Sequence, residues 1–383
     1  MNKSAVYITD IAAFLPNDPV ENGEMERLLG QVGARPSRAR RAVLRSNGIV
    51  KRHYAIDPET LEVNFSNASL TANAIRKLDP TKWHPDQLGC LSCGTSIPDQ
   101  ILPSHASMVQ GELQLPPCEV SSTSGVCASG MSALKYAYMS VLSGLSDNAI
   151  AAGSELVSRL MRANNYVGEY ESNVDNLKKQ PEIAFEKDFL RWMLSDGAGA
   201  VLMENRPNSS GLSLRIDWLE IRSFSGEMET CMYAGATKDT NGTVKSWQDY
   251  SYRQREALSV MAIKQDVRLL NEHIIDFTVT RALQYIREKH GVFASEVDWF
   301  IPHYSSQYFR DKVLVGMKEA DMNIPQERWF TNLTQKGNTG AASIYIMLEE
   351  LFHSGRLKPG QTLLCYVPES GRFSTSFMHL TVV

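Results

Sequence analysis

Three side chains in this 383-residue sequence stand out for chemistry at a carbonyl carbon: Cys127, His303 and Asn338. Cys127 lies in Ser121-Ser122-Thr123-Ser124-Gly125-Val126-Cys127-Ala128-Ser129-Gly130-Met131-Ser132-Ala133. That run follows the strand-like Cys118-Glu119-Val120 and leads an apolar helical stretch from Met131 to Leu142. A thiol on a sharp strand-to-helix turn is held at an exposed elbow, and the helix N-terminus favours its thiolate. Small neighbours let a substrate carbonyl approach. The competing assignment is a buried structural thiol, a common fate of free cysteine. A nucleophilic cysteine needs a base or an ion-pair partner, which histidine supplies. His303 closes the apolar strand Val297-Asp298-Trp299-Phe300-Ile301-Pro302-His303, and Asn338 opens Gly337-Asn338-Thr339-Gly340-Ala341-Ala342-Ser343. A neutral imidazole and a carboxamide N–H can stabilise an enolate or a thioester oxyanion. Cys-His-Asn is therefore a coherent acyl-transfer set.

The elements that must position these groups alternate between strand and helix, which predicts an α/β fold with largely parallel central sheets. Strands are expected over residues 5–15, 87–92, 149–155, 212–222, 297–303, 329–332, 362–367 and 377–383. Helices are expected over 22–29, 70–78, 104–113, 131–142, 255–270, 275–289, 307–318 and 343–353. Cys127 precedes Gly144 by 17 residues, the same spacing that separates Asn338 from Gly355. Each helix is followed by an apolar strand closing in a polar turn, at Gly153-Ser154-Glu155 and Pro368-Glu369-Ser370-Gly371. The spacing implies two duplicated halves, 1–205 carrying the cysteine and 206–383 carrying the histidine and asparagine. An internal pseudo-two-fold would then bring both helix N-termini to one site. Residues 161–192, with Tyr166, Tyr170, Phe185, Phe189 and Trp192, read as an inserted cap.

Composition narrows the function classes. The chain is 43% hydrophobic and 21% charged with a net charge of -4, so no basic field favours nucleic acid. No run is long and apolar enough for a membrane helix, and the N-terminus reads as a strand rather than a signal peptide. A cytoplasmic enzyme with reduced thiols is the expectation. Cys90-Leu91-Ser92-Cys93 has redox spacing but lies in a strand-like run with no second pair for zinc. The basic run Arg35, Arg38, Arg40, Arg41, Arg45, Lys51 and Arg52 reads either as a solvated face or as a docking patch for a phosphate-bearing partner. Asp196, in Ser195-Asp196-Gly197-Ala198-Gly199-Ala200, reads as turn and cap chemistry.

The His303 and Asn338 segments, with Lys336 preceding the latter, closely resemble the corresponding motifs of β-ketoacyl carrier-protein synthase III enzymes, and Gly125-Val126-Cys127-Ala128-Ser129-Gly130 resembles their nucleophile motif. Further matches are Gly153-Ser154-Glu155-Leu156-Val157-Ser158-Arg159, Arg45-Ser46-Asn47-Gly48-Ile49 and Gly355-Arg356-Leu357-Lys358-Pro359-Gly360-Gln361. The resemblance spans nearly the whole chain. It implies the thiolase fold, two duplicated α/β halves in a five-layer αβαβα arrangement. It implies that Cys127 takes an acyl group from a thioester, that His303 and Asn338 stabilise a carbanion, and that the backbone N–H groups of Cys127 and Gly371 form the oxyanion hole. It further implies a homodimer in which a loop from the partner subunit, here Ile101-Leu102-Pro103-Ser104, closes the acyl pocket, making Leu102 a tunnel residue. No cofactor and no metal is implied.

Departures refine the expectation. The N-terminal region Gly30-Gln31-Val32-Gly33-Ala34-Arg35-Pro36 lacks the tryptophan that stacks on coenzyme A in the family, and Ser306 replaces an asparagine. Both favour an acyl carrier protein as donor over coenzyme A thioesters. The N-terminal run Val6-Tyr7-Ile8-Thr9-Asp10-Ile11-Ala12-Ala13-Phe14-Leu15-Pro16-Asn17 and Val43-Leu44-Arg45-Ser46-Asn47-Gly48-Ile49 resemble the ketosynthase/cyclases of dialkylresorcinol and bacterial stilbene biosynthesis. Those enzymes join a β-ketoacyl to an α,β-unsaturated acyl thioester and give a 1,3-cyclohexanedione. Two carbon–carbon bonds require a second deprotonation, and Glu155 is the candidate base; the competing role is a turn cap or an i,i+4 pair with Arg159. The alternatives are a decarboxylative synthase III of another specialised pathway, an ester- or amide-forming acyltransferase of the same fold, and a non-catalytic partner subunit.

Overall fold

The computed structural model describes residues 5–32, 40–166 and 190–383. The main sheet has nine strands: β1 (Val6–Phe14), β2 (Cys90–Thr95), β3 (Glu119–Ser124), β4 (Asn148–Glu155), β5 (Gly197–Glu204), β6 (Leu214–Ser223), β7 (Trp299–Pro302), β8 (Thr362–Glu369) and β9 (Ser374–Val382). Their order is β3-β2-β4-β5-β1-β6-β9-β8-β7. The β1–β6 joint is short, pairing only Val6, Tyr7 and Ile8 with Ile216, Arg215 and Leu214. It separates two half-sheets of one topology. In each, the first strand is antiparallel to the last, which is antiparallel to a parallel pair. The counterpart of edge strand β3 in the second half is a single parallel bridge between Phe300 and Trp329. The strand expected over 329–332 is reduced to that bridge.

The residues of β2, β4, β5 and β8 are buried on both faces nearly throughout, which is why they read as continuous small or apolar runs, whereas edge strand β3 is partly exposed along its length. Alternate residues serve different layers: Ala149 and Ala151 of β4 face one core, Ile150 and Ala152 another. The central layer holds α3 (Ala128–Leu142) and α7 (Ser343–His353), which pack between the half-sheets through Met131, Leu134 and Val141 against Ile344, Leu348 and Leu351. Helices α1 (Asn67–Arg76) and α2 (His105–Leu113) cover the outer face of the first half, and α4 (Val267–Ile275), α5 (Ala282–His290) and α6 (Arg310–Glu319) that of the second. The result is five layers, αβαβα. Position 205 falls in the connection between β5 and β6.

Several expectations are corrected. The helix expected over 255–270 is instead a short helix Tyr252–Ala257, a turn with Ser259 at φ 44°, a two-residue strand Lys264–Gln265, and then α4. Asp266 starts α4 by accepting a hydrogen bond from Leu269 N. A π segment, Asp276–Arg281, joins α4 to α5. Cys90 and Cys93 are both buried and belong to opposite faces of β2, which removes the redox reading. Two members of the basic run are structural: Arg52 is fully buried and donates to Asn22 Oδ1 and the Trp192 carbonyl, and Arg40 pairs with Glu26. Arg41 and Arg45 are exposed, while Arg35 and Arg38 lie outside the described residues. Of the expected cap, Tyr166 and Trp192 are buried, and Tyr170, Phe185 and Phe189 lie outside the described residues. No described helix is long and apolar enough to cross a membrane.

Candidate active site

Cys127 ends the turn after β3 and occupies the N-cap position of α3, with φ -57° and ψ -31°. Its side chain makes no capping bond. The asparagine elbow is built differently. Asn338 is followed by a 3-10 turn, Gly340–Ala342, before α7 begins at Ser343. Its backbone is held on both sides, donating to the Met193 carbonyl and accepting from Ser195 N. The Asn338 Oδ1 accepts from Gly340 N at 2.9 Å. Only an oxygen can accept there, so the amide is oriented and its NH2 is the end left for a ligand.

The two elbows touch where glycines omit a side chain. A Cβ on Gly130 would lie 2.1 Å from the Ala341 carbonyl oxygen, and one on Gly153 2.4 Å from it. Tyr345 of α7 donates to the Gly130 carbonyl at 2.7 Å. The small-residue richness of both elbows thus lets the central helix ends interlock.

Two cavities meet at this junction. The first has an empty volume of about 430 Å³ and is bordered by Cys127 and His303, with Leu270, Ile274, Phe309 and Val313 as apolar wall. The second, about 480 Å³, is bordered by Cys127, Asn338 and Glu155, with Val157, Leu190 and Met193 among its apolar residues. Ser305 and Ser370 border both. The structure therefore gathers Cys127, His303, Asn338 and Glu155 at one place, on loops and strand ends from both halves.

The electrostatics of the nucleophile depart from expectation. The thiol of Cys127 is pushed up, chiefly by burial and then by the charges of Glu155 and Glu369, so the helix N-terminus does not yield a resting thiolate. Burial pushes His303 down to about 4, and its ring has no hydrogen-bond partner among the described residues. A neutral imidazole and a neutral thiol thus border the same cavity. Glu155 is fully buried and pushed up to about 7 by desolvation. Its Oε1 accepts from Ser96 and from Ala341 N, while its Oε2 has no partner. Arg159 pairs with Asp99 rather than with Glu155. Asp196 accepts from Ala55 N and Ser158 N, the structural role expected of it.

Gly371 packs against the nucleophile elbow: a Cβ there would lie 3.0 Å from Val126 Cγ2. Its carbonyl accepts from Cys231 N and Met232 N. Leu102 is 82% exposed, with Ile101 at 73%, and borders neither cavity of its own chain. Two neighbours of the site escaped the sequence reading. Ser305 lies two residues beyond His303, where only adjacency marks it. Glu369 closes β8 and accepts from Val126 N at 3.3 Å.

Residues 118–208 match the family model for the N-terminal domain of β-ketoacyl synthases, and residues 287–372 that for the C-terminal part of 3-oxoacyl-[acyl-carrier-protein] synthase III. A β-ketoacyl-[acyl-carrier-protein] synthase III of Dinoroseobacter shibae is 26% identical over 95% of both chains. Along nearly its whole length the chain is similar to β-ketoacyl carrier-protein synthase III enzymes. It is thus a condensing enzyme with the thiolase fold. The synthase III of Methylococcus capsulatus is 23% identical over 93% of both. Among solved structures, the 3-oxoacyl-[acyl-carrier-protein] synthase III of Aquifex aeolicus superposes with a TM-score of 0.70 at 21% identity, covering 98% and 99% of the two chains. AbyA1, a tetronic acid condensing enzyme, gives 0.74 at 21% over 98% and 99%. OleA of Xanthomonas campestris, solved with lauric acid and lauroyl-CoA, gives 0.70 at 18% over 99% of both.

Proposed function

We propose that this ketosynthase joins an α,β-unsaturated acyl thioester to a β-ketoacyl thioester, both delivered by an acyl carrier protein, and releases from Cys127 a 1,3-cyclohexanedione of the dialkylresorcinol or stilbene-precursor type that is still held as a thioester on the carrier. The observation that carries the reading is the pair of apolar-walled cavities meeting at Cys127. Two carbon–carbon bonds between two acyl chains need room for both chains at one sulfur.

Each group has a step. The Cys127 thiol gives its proton to neutral His303, sulfur attacks the unsaturated thioester, and the carrier thiol leaves with that proton. The β-ketoacyl partner loses a C2 proton, and C2 adds to the β-carbon of the enoyl-enzyme. The resulting enolate is reprotonated. Loss of a C4 proton lets C4 attack the Cys127 thioester, closing the six-membered ring and returning the thiol; the ring keeps the carrier thioester. The Asn338 amide N–H and the neutral imidazole face the negative oxygens, and the backbone N–H groups of Cys127 and Gly371 take the acyl oxyanion. Glu155, with a free oxygen beside the second cavity and a proton affinity near neutrality, is the second base. The exposed Ile101–Leu102 loop fits a role in a homodimer, with Leu102 lining the partner's tunnel. The enzyme is read as cytoplasmic, and its halves as 1–205 and 206–383. A decarboxylative synthase giving a linear chain and an ester- or amide-forming acyltransferase are the alternatives.

Incubation with an α,β-unsaturated acyl carrier protein and a β-ketoacyl carrier protein tests the reading. Intact-mass analysis should show an acyl adduct on wild type and none on Cys127→Ala, and mass spectrometry of the products should show the cyclic dione. An unchanged adduct in the variant refutes the nucleophile, and linear products alone refute the ring.

A further inference from the structure

Glu155 and Glu369 are the same residue of two matching strands. Strands β4 and β8 are each eight residues long, occupy corresponding places in their half-sheets, and end in glutamate. Each glutamate reaches across to the helix elbow of the other half. Glu155 Oε1 accepts from Ala341 N, in the turn that leads α7. Glu369 Oε2 accepts from Val126 N, in the turn that leads α3. The two carboxylates are crossed straps, and the one from the second half ends at the nucleophile.

The position of Glu369 has two consequences. A helix N-terminus presents unpaired N–H groups and a positive dipole end, which favour whatever anion sits there. The occupant at α3 is the Glu369 carboxylate, which bonds Val126 N and also interacts with Ala128 N. The Cys127 side chain makes no such bond. In addition, Glu369 Oε1 lies 3.0 Å from where a Gly371 Cβ would sit, so the strap runs along the loop bearing Ser370 and Gly371. Ser370 is fixed in turn by Gln265 at 2.8 Å.

We propose that Glu369 is a positioning residue of the nucleophile. It takes for itself the helix N-terminus that would otherwise stabilise a Cys127 thiolate, and it ties the oxyanion loop to the elbow. The nucleophile then rests as a thiol, inert to stray electrophiles, and ionises only when His303 takes its proton. Among the described residues neither carboxylate forms an ion pair, and the charge of each acts on the Cys127 thiol.

The proposal rests on Cys127 being the nucleophile, and its test is independent of condensation. The rate of iodoacetamide alkylation at Cys127, located by peptide mass, is measured on wild type and Glu369→Gln from neutral pH up to the alkaline limit at which each protein stays folded. Glutamine keeps an oxygen for Val126 N and removes the charge. The midpoint of the pH profile should fall by about one unit, so that alkylation at a pH below both midpoints is about tenfold faster. A purely structural strap would change the plateau rate and leave the midpoint in place. An unchanged or raised midpoint overturns the proposal. Glu369→Ser, which also removes the charge, carries the same expectation for the midpoint if the glutamine variant does not fold. An acyl adduct on Cys127→Ala would instead overturn the reading on which the proposal rests.

Discussion

Replacing Glu155 by glutamine should make the protein more stable in alkaline solution while removing ring formation. The carboxyl is fully buried, and its proton affinity rises from the ordinary 4.5 to about 7 because burial penalises the charged form. The folded state therefore binds more protons than the unfolded state between those values, and linkage makes wild type lose stability as pH rises through that window. At 1.36 kcal/mol per unit, the cost is about 3 kcal/mol at pH 8 and about 1 kcal/mol at pH 5. Glutamine carries no such cost. Its Oε1 can still accept from Ser96 and Ala341, and its NH2 replaces an oxygen that is already buried without a partner. The protonated acid places a donor in the same pocket, so the pH-independent terms nearly cancel. Asp196, also pushed up by burial, titrates in both proteins, and its charge is one of the causes that raise Glu155. Urea unfolding at pH 5 and pH 8 measures the effect. The variant's advantage should grow by about 2 kcal/mol between the two. An advantage that is the same at both pH values would show that Glu155 titrates no differently in the folded chain, and the assignment of a poised base would fall with it. Retention of full cyclisation by the variant would sink the catalytic role directly.

Two further expectations follow from the same geometry. Burial holds His303 neutral above about pH 4, so an acid limb of ring-forming turnover near pH 7 belongs to Glu155; a limb near pH 4 with none near 7 in the pH–rate profile would reassign it. Gly153→Ala places a Cβ 2.4 Å from the Ala341 carbonyl oxygen and 2.6 Å from Tyr345 Cε2. Overpacking of backbone against backbone should cost about 3 kcal/mol in urea unfolding and disturb the Glu155–Ala341 contact; a variant within 0.5 kcal/mol of wild type, a rough experimental margin, would show that the elbows do not interlock as described.

What could be read from the sequence and what could not divide on physical grounds. Strands buried on both faces announce themselves as short apolar runs, and β4 and β8 were visible for that reason. The helix boundaries at Gly144 and Gly355 were visible too, since both glycines have φ near +70°, at 76° and 70°. The run 255–270 misled because its residues are good helix formers, whereas Ser259 adopts a left-handed conformation and Asp266 restarts the helix. The Cys127 thiol was expected as a thiolate because the helix dipole is a local property of the chain. Burial, and after it the carboxylates at the ends of β4 and β8, reverse that effect, and no local pattern carries either. Glu369 sat in plain view within Pro368-Glu369-Ser370-Gly371, where a polar residue ahead of a glycine reads as an ordinary turn.

The equal spacing of the two elbows conceals a difference that fits their different tasks. On the first, α3 begins directly after Cys127, so the sulfur stands at the helix end where an acyl group can be passed to it. On the second, a 3-10 turn intervenes, and α7 does not begin until Ser343. Asn338 is thereby held back from the helix end. Gly340, at φ 49°, folds its N–H onto the Asn338 oxygen and passes so close to Glu155 that a Cβ there would lie 2.5 Å from Oε1. One local turn thus aims the carboxamide and seats the buried acid. The duplicated scaffold supplies two matching helix ends. The inserted turn sets the second elbow apart: there a carboxamide is oriented by its own turn, with the strap glutamate packed at its side.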